Sequence, residues 1–242
     1  MSTLKALIFD VDGTLAETEE VHREAFNLAF AEAGLSWRWD RNIYGRLLRT
    51  TGGRERIEVY ASETGATEVA SAELHRRKTF FYNNWITANG IDLRPGVARL
   101  IGNARRQGIR LAIATTTSRA NVESLLAKTL GPHSAGWFDA ICCGEDVARK
   151  KPDPEVYLAA LSRLNLGADD CIAFEDSANG LKSARAAGLT TVITPSIYTV
   201  FDDFDGAELN LHTLDEPLSF RQNPKLENLS RLTRELITLL SR

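Results

Sequence analysis

Five short runs of apolar residues, rich in β-branched side chains, recur along the chain. Each run is too short for a helix and too continuously apolar for a strand with one solvent-exposed face. Such runs are typical of parallel strands that helices cover on both faces of a sheet. They predict five strands, LKALIF, IRLAIA, FDAICC, CIAF and LTTVIT, which begin at residues 4, 109, 138, 171 and 189.

Apolar residues at helical spacing fill the intervals between the later runs. ANVESLLAKTL and PEVYLAALSRLN have this spacing, and the small-residue segment ANGLKSARAAG ends in a glycine suited to close a helix. Strands that alternate with helices predict an α/β fold built on a doubly wound parallel sheet. The C-terminal segment PKLENLSRLTRELITLLSR predicts a final helix that packs on the core, with a partner-binding helix as the alternative. Its apolar face carries Leu226, Leu229, Leu232, Leu236 and Leu240.

One connection is far longer than the others. About 95 residues separate Asp12 from the second strand, whereas a parallel crossover needs only about a dozen. The interval has helical patterns and no comparable strand runs, so we expect an inserted helical cap domain at residues 17–88. The α/β core would then comprise residues 1–16 and 89–242. Ligands of open α/β sheets bind at the carboxyl ends of the strands, where this cap would lie.

Composition and charge exclude several classes of function. Of the 242 residues, 43% are hydrophobic and 25% are charged, and the formal net charge is −3. These values are typical of a globular protein and disfavour a nucleic-acid or membrane partner. The three cysteines have no CxxC spacing, which favours buried thiols over a zinc site. No apolar segment approaches the roughly 20 residues of a membrane span, and we see no cleavable leader. We therefore expect a cytoplasmic protein. We also expect it to be a monomer.

Two aspartates, Asp10 and Asp12, stand one residue apart at the end of the first predicted strand. A turn explains Asp followed by Gly, but a calcium-binding loop does not fit, because glycine and glutamate do not fall at its sixth and twelfth positions. Two close carboxylates raise each other's pKa unless a cation is present. Glu175 and Asp176 end another apolar run, and four such acids with room for water suit Mg²⁺.

Four motifs follow one another in the order DVDGT, AIATTTS, KKPDP and FEDSANG. In this order they resemble the motifs of the haloacid dehalogenase superfamily of phosphohydrolases. The helical insert between the first two resembles the subgroup that includes β-phosphoglucomutase and phosphoglycolate phosphatase. The wording ATTTS and the cap segment TTGGRER are most similar to CbbY-type sugar-bisphosphate phosphatases, which are associated with carbon fixation. The resemblance covers nearly the whole chain.

The resemblance assigns roles to the core residues. Asp10 would be the nucleophile that forms an aspartyl-phosphate, and it would also bind Mg²⁺. Asp12 would be the general acid and then the base, with its backbone carbonyl on the metal. Lys151, selected over Lys150 by the proline that follows it, would neutralise the phosphoryl oxygens and leave Lys150 in solvent. Asp176 would bind the metal directly and Glu175 through water.

The second motif supplies hydroxyl groups. The resemblance makes Thr115 the hydroxyl that binds the phosphoryl group, and the three following residues could add hydroxyl or N–H contacts. A run of this kind after a strand is, by itself, more often a capped turn. The three following residues are Thr116, Thr117 and Ser118.

The predicted cap adds candidates for substrate binding. Arg54 follows Gly53, and an arginine fork after two glycines suits a second phosphate, although a surface arginine is the simpler interpretation. His75 and Lys78 are three residues apart, so both side chains can point to one side of a helix. The alternative is that they belong to a basic helix face exposed to solvent. The remaining candidates follow the nucleophile loop: Glu17, Glu19 and His22, of which the histidine could equally be a packed cap residue.

The predicted function is hydrolysis of a small phosphorylated sugar with Mg²⁺. The resemblance implies a sugar bisphosphate such as xylulose 1,5-bisphosphate, converted to xylulose 5-phosphate. A phosphosugar mutase or a phosphatase acting on a phosphoglycolate-like monophosphate are the alternatives, because the motifs barely separate them. A dehalogenase lacks the second acid at Asp12, and a receiver domain has no cap, so both are disfavoured.

Overall fold

A six-stranded parallel sheet forms the core of the molecule. The computed structural model describes residues 4–66, 68–216 and 230–241. The strand order is β3-β2-β1-β4-β5-β6, and every pair is parallel. All five predicted strands are confirmed, whereas β6 was not predicted because two residues carry no readable pattern. The strands are β1 (Ala6–Phe9), β2 (Arg110–Ala114), β3 (Ala140–Cys142), β4 (Cys171–Glu175), β5 (Thr190–Ile193) and β6 (Leu209–Asn210).

Helices follow the strands and also fill the long insert. Five of them, α1 to α5, lie between β1 and β2. The first four occupy the interval that the sequence assigns to a helical cap, whose limits at residues 17 and 88 stay a prediction. Helix α2 was not predicted, because only two of its seven residues are buried. The helices are α1 (Glu19–Glu32), α2 (Arg41–Leu47), α3 (Gly53–Thr64), α4 (Ser71–Asn89), α5 (Val97–Arg106), α6 (Arg119–Thr129), α7 (Glu155–Leu164), α8 (Ala178–Ala186) and α9 (Arg231–Leu240).

Both faces of the sheet are covered, as the apolar runs predict. Along β1, Leu7 and Phe9 belong to one apolar cluster, while Ala6 and Ile8 belong to the cluster on the opposite face. This alternation follows from the two-residue period of a strand. The doubly wound α/β architecture is therefore confirmed. Among the described helices, none has the length and apolar character needed to cross a membrane.

The terminal helix packs on the core. Leu232, Leu236 and Leu240 of α9 are buried in the cluster that also holds Leu7 and Phe9. The core-packing interpretation of this segment is therefore confirmed for α9. The other two leucines of the predicted apolar face, at positions 226 and 229, lie outside the described residues.

The cap has an apolar core of its own, which is rich in aromatic residues. Phe26 and Phe30 of α1 pack on Trp39, with ring centroids 4.7 and 4.8 Å apart. Trp39 is held by its backbone as well, because Asn27 accepts its N–H and donates to its carbonyl. Tyr44 of α2 joins the same cluster. These contacts fix the helices that carry the cap side of the cavity described below.

The sheet order places the acidic motifs side by side. Strand β1 pairs with β4 in a register that sets Phe9 opposite Phe174. The backbone N–H of Asp10 donates to the Phe174 carbonyl at 3.0 Å. Parallel strands end at the same edge of a sheet, so the residues that follow β1 and β4 meet there.

Candidate active site

Three buried carboxyl groups meet at the carboxyl ends of β1 and β4. One oxygen from each of Asp10, Glu175 and Asp176 lies within 4.8 Å of the others. Burial raises the pKa of Asp10 to about 7, against the pull of the Lys151 charge and with a contribution from Glu175. Burial, with the charges of Asp10 and Glu175, raises the pKa of Asp176 well above its usual range. The structure therefore brings these predicted metal ligands together, in a set that favours a cation.

Lys151 is the cation at the centre of this cluster. Its ammonium lies 2.6 Å from Asp10 Oδ1, 2.5 Å from Glu175 Oε1 and 2.9 Å from the Ala114 carbonyl oxygen. Burial alone would lower the pKa of Lys151, but its two carboxylate partners raise it, so the ammonium stays charged. The Tyr157 hydroxyl donates to the same Glu175 oxygen at 2.6 Å. Glu175 thus orients Lys151 towards Asp10. This contact fits the prediction that Glu175 reaches the metal only through water.

The Asp12 carboxylate points to the cap, away from the other acids. It accepts hydrogen bonds from Thr18 Oγ1 at 2.6 Å and from His22 Nε2 at 2.9 Å. Burial would raise the pKa of Asp12, but His22, Thr18 and Lys78 together hold it below its usual range. Burial lowers the pKa of His22 against the pull of the Asp12 charge, and an anionic Asp12 requires Nε2 to be the donor in this contact. The His22 ring also stacks on Tyr82, with centroids 4.1 Å apart.

A cavity of about 600 Å³ opens above these groups, between core and cap. A smaller one adjoins it and shares Asp12, Glu19, Arg56 and Thr116 with the first. Among the predicted substrate-binding residues, Glu19 lines both cavities and accepts a hydrogen bond from the Tyr44 hydroxyl at 2.5 Å. Those that line the smaller cavity are His22, Gly53, His75, Lys78 and Thr117.

Lys78 and Arg56 bring positive charge to the cap side. Lys78 is 4% exposed, and its ammonium lies 5.0 Å from the Phe26 ring centroid. Arg56 is partly buried; it donates to the Thr50 carbonyl at 2.9 Å and to the Tyr44 hydroxyl at 3.2 Å. Within the described part of the chain, neither side chain has a carboxylate within 4.0 Å. Burial lowers the pKa of Lys78 to about 8.

The hydroxyl run after β2 divides between two roles. Thr115 and Thr116 line the larger cavity, and Thr117 lines the smaller one. Ser118 is instead the N-cap of α6, where its hydroxyl accepts the Asn121 N–H at 3.4 Å. The structure therefore assigns Ser118 to the capped turn, which was the alternative interpretation, and keeps the other three at the site.

Two predicted substrate-binding residues lie away from the cavities. The Arg54 side chain is 58% exposed and lies 2.8 Å from Glu58 Oε1, one turn along α3. Glu17 lies 3.3 Å from Arg94, which belongs to the segment that returns from the cap to the core. Arg56, which was not among the predicted residues, lines both cavities instead; it stands three residues after Gly53 and shares its helix face. That helical spacing was the available signal.

The structure also corrects the orientation of Lys150, which was expected in solvent. Its ammonium lies 3.0 Å from Glu55 Oε1 of the cap, and its side chain is 24% exposed. The sequence motifs did not single out Tyr157 and Thr18, which donate hydrogen bonds to carboxylates of the site. Both act through hydrogen bonds between segments distant in sequence or across the cap boundary, for which a single sequence carries no signal.

Comparison with known proteins identifies the family. Residues 4–188 match the model of the haloacid dehalogenase-like hydrolases. Protein CbbY of Rhodobacter capsulatus is 53% identical over 213 residues, which cover 87% of this chain and 94% of that protein. The crystal structure of CbbY from Rhodobacter sphaeroides in complex with phosphate is 45% identical, with a TM-score of 0.83, over 87% of this chain and 94% of that one.

A second crystal structure of the same relative contains a sugar bisphosphate. It is the D10N mutant of Rhodobacter sphaeroides CbbY in complex with xylulose-(1,5)bisphosphate. It is 44% identical, has a TM-score of 0.83, and covers 87% of this chain and 94% of that chain. The predicted family and the predicted enzyme class are confirmed by these matches. The chain belongs to the haloacid dehalogenase-like hydrolases and is an enzyme of the phosphatase type.

Proposed function

We propose that this chain is an Mg²⁺-dependent phosphatase that hydrolyses xylulose 1,5-bisphosphate to xylulose 5-phosphate through an aspartyl-phosphate on Asp10. The observation that carries the substrate class is the pair of cap cations, Arg56 and Lys78, which face the cavities without a carboxylate partner within the described residues. A cation withdrawn from water needs an anion to offset its lost hydration. The R. sphaeroides relative, crystallised with xylulose-(1,5)bisphosphate, supports the identity of the sugar.

The acidic cluster fits Mg²⁺ on its chemistry. Asp10, Glu175 and Asp176 supply oxygen ligands, which Mg²⁺ prefers, and burial with mutual repulsion makes unneutralised carboxylates unfavourable there. We propose that Asp10, Asp176 and the Asp12 backbone carbonyl hold the ion, with Glu175 joined through water. Bound there, Mg²⁺ would neutralise negative charge on the phosphoryl oxygens.

Asp10 is the proposed nucleophile. Lys151 holds Asp10 Oδ1 at 2.6 Å, which fixes the direction of the carboxylate. The same ammonium would neutralise a phosphoryl oxygen that approaches it, and the Thr115 hydroxyl at the end of β2 would donate to another. A fixed nucleophile and an adjacent cation lower the entropy and charge barriers of phosphoryl transfer.

Asp12 is the proposed acid and base. In the arrangement described here its carboxylate is anionic, which is the form that activates water. The dianionic phosphoryl group would raise the pKa of Asp12 by repulsion between like charges and so favour the protonated form that the leaving alcohol needs. Thr18 and His22 keep the carboxyl group aimed at the cavity in both steps.

We also propose that the enzyme acts as a monomer in the cytoplasm. All three cysteines, Cys142, Cys143 and Cys171, are free and buried, as predicted. Free thiols support a reducing compartment.

Phosphate release from a panel of sugar monophosphates and bisphosphates tests the proposal. We expect Mg²⁺-dependent release, abolished by chelator, with xylulose 1,5-bisphosphate preferred. Accumulation of an isomer in place of phosphate would instead establish the mutase alternative, and a preference for phosphoglycolate would establish the monophosphate one.

Arg56→Ala is the sharpest variant for the second phosphate. It should reduce kcat/KM for the bisphosphate at least about tenfold more than for a monophosphate of similar size, as expected for a charge-assisted contact worth about 1.5–3 kcal/mol. Arg54→Ala, two positions away and facing solvent, is the matched control and should leave both values unchanged. Equal losses on the two substrates would contradict the role of Arg56.

A further inference from the structure

The cap loop, defined as residues 48–52 between α2 and α3, touches the core beside the catalytic groups. Asn179 Nδ2 donates to the Arg49 carbonyl at 3.1 Å and to Thr51 Oγ1 at 3.2 Å. Asn179 lies in the first turn of α8, three residues after Asp176. The cap loop is therefore tied to the segment that carries a proposed metal ligand.

A second contact ties the same region to the loop that carries Lys151. Lys150 places its ammonium 3.0 Å from Glu55 Oε1 in the first turn of α3. The neighbouring Lys151 extends the other way, to Asp10. Two consecutive lysines thus link one core loop both to the nucleophile and to the cap.

Gly52 shows that the loop is shaped for this contact. Its φ of +101° lies in the region that favours glycine. A Cβ atom at this position would lie 2.2 Å from Glu55 Oε2 and 2.7 Å from Lys150 Cδ. These distances are shorter than van der Waals contact, so Glu55 and Lys150 pack directly against the main chain of residue 52 and would have to move for a side chain there.

The contact bears on specificity because Arg56 follows Glu55 directly. Because Lys151 follows Lys150 in the same way, the Glu55–Lys150 ion pair restrains the two backbone segments that carry these cations. A substrate with two phosphates must engage both cations at once, whereas a small monoester needs only Lys151. The relative placement of cap and core therefore affects the two kinds of substrate differently.

We propose that Lys150 and Asn179 are positioning residues that determine specificity, because they hold the cap loop at the separation that a two-phosphate substrate requires. This inference rests on the proposed function for its choice of substrates. The contacts themselves can be tested without any substrate, so the proposed function and this inference can fail separately.

A charge-exchange cycle tests the proposal. Lys150→Glu sets like charges together and should lower kcat/KM for xylulose 1,5-bisphosphate about tenfold, or about 1.4 kcal/mol, within the range measured for contacting residues. Turnover of p-nitrophenyl phosphate should change less than about twofold. Combining Lys150→Glu with Glu55→Lys should restore most of the kcat/KM that is lost on the bisphosphate. Asn179→Ala should reproduce the selective loss.

The matched control is an ion pair that lies wholly within the cap. Arg46 and Glu63 are 2.6 Å apart and join α2 to α3 without reaching the core. Arg46→Glu should leave the ratio of the two kcat/KM values unchanged. Equal loss on both substrates in Lys150→Glu, or no recovery in the doubly exchanged variant, would overturn the proposal.

Amide hydrogen exchange provides the substrate-free measurement. Lys150→Glu and Asn179→Ala should accelerate exchange in residues 48–52, while the interior of α1 stays protected, because the loop loses its core contacts. Unchanged exchange in the loop would overturn the inference even if the wild type prefers the bisphosphate. A wild type without that preference would overturn the proposed function, and the exchange experiment would still decide whether the contacts hold the loop.

Discussion

Without the proposed metal, the stability of this enzyme should fall between pH 6.5 and 7.5. Burial raises the pKa of Asp176 well above its usual range and that of Asp10 to about 7, compared with 3.8 for an exposed aspartate. The folded protein therefore holds protons that the unfolded chain has already released. Unfolding releases those protons, so the free energy of unfolding falls as the pH rises.

The magnitude follows from the two groups. A carboxyl group that stays protonated in the folded state contributes about 1.4 kcal/mol per pH unit. Asp10, with its pKa inside the interval, contributes about half of this value and Asp176 at most all of it, so the total is at most about 2 kcal/mol. For a chain of this size, each kcal/mol that is lost lowers Tm by about 2–4 °C. The lowered pKa values of the buried His22 and His75 act in the opposite direction below and around their unfolded pKa of 6.5, an effect that fades as the pH rises through the interval.

The assay is thermal or urea unfolding in chelator at pH 6.5, 7.0 and 7.5. Added Mg²⁺ should flatten the pH dependence, because the ion replaces the protons, and at one hundred times its Kd it should stabilise by about 2.7 kcal/mol. Asp176→Asn cannot titrate at this position and should have a smaller slope than the wild type. Stability that is constant with pH in chelator, or a full slope in Asp176→Asn, would refute the reasoning.

Further predictions concern single side chains. Leu236→Ala should cost about 2–5 kcal/mol in urea unfolding, because Leu236 is fully buried; a loss below about 0.5 kcal/mol would contradict its core role. Gly180→Ala should reduce Mg²⁺ affinity and turnover, because the new Cβ would lie 1.9 Å from Glu175 Oε2; unchanged calorimetric Mg²⁺ binding would contradict this. Tyr157→Phe should cost about 1 kcal/mol of stability and lower kcat more than it raises KM, since Glu175 loses a donor; a change in KM alone would argue against that contact. Asp12→Asn should slow turnover of sugar phosphates about 10²–10⁴-fold and leave one equivalent of nitrophenol as a burst from p-nitrophenyl phosphate; full steady turnover would exclude Asp12 as the acid and base.

The sequence by itself determined the parallel sheet, the helices inserted after its first strand, and the edge of the sheet where two acidic motifs meet. Strands buried on both faces must be continuously apolar, so LKALIF and CIAF were recognisable without coordinates. Lys151 was selected by the resemblance of KKPDP to a family motif, whereas Asp10 and Asp176 directly follow such strands, which is a position that local pattern defines. Parallel strands end at one edge, so these residues could be placed at one site before their distances were known.

Only the tertiary structure decided which cap and loop side chains face the cavity. Arg54 and Arg56 share the same local motif, yet one lies beside Glu58 in solvent and the other lines both cavities. Lys150 likewise found a partner about 95 residues away in sequence, on a cap helix. Local pattern fixes where an element lies and which face is apolar, whereas the partner of a polar side chain depends on how separate elements pack. That packing is a property of the whole chain, which no short segment encodes.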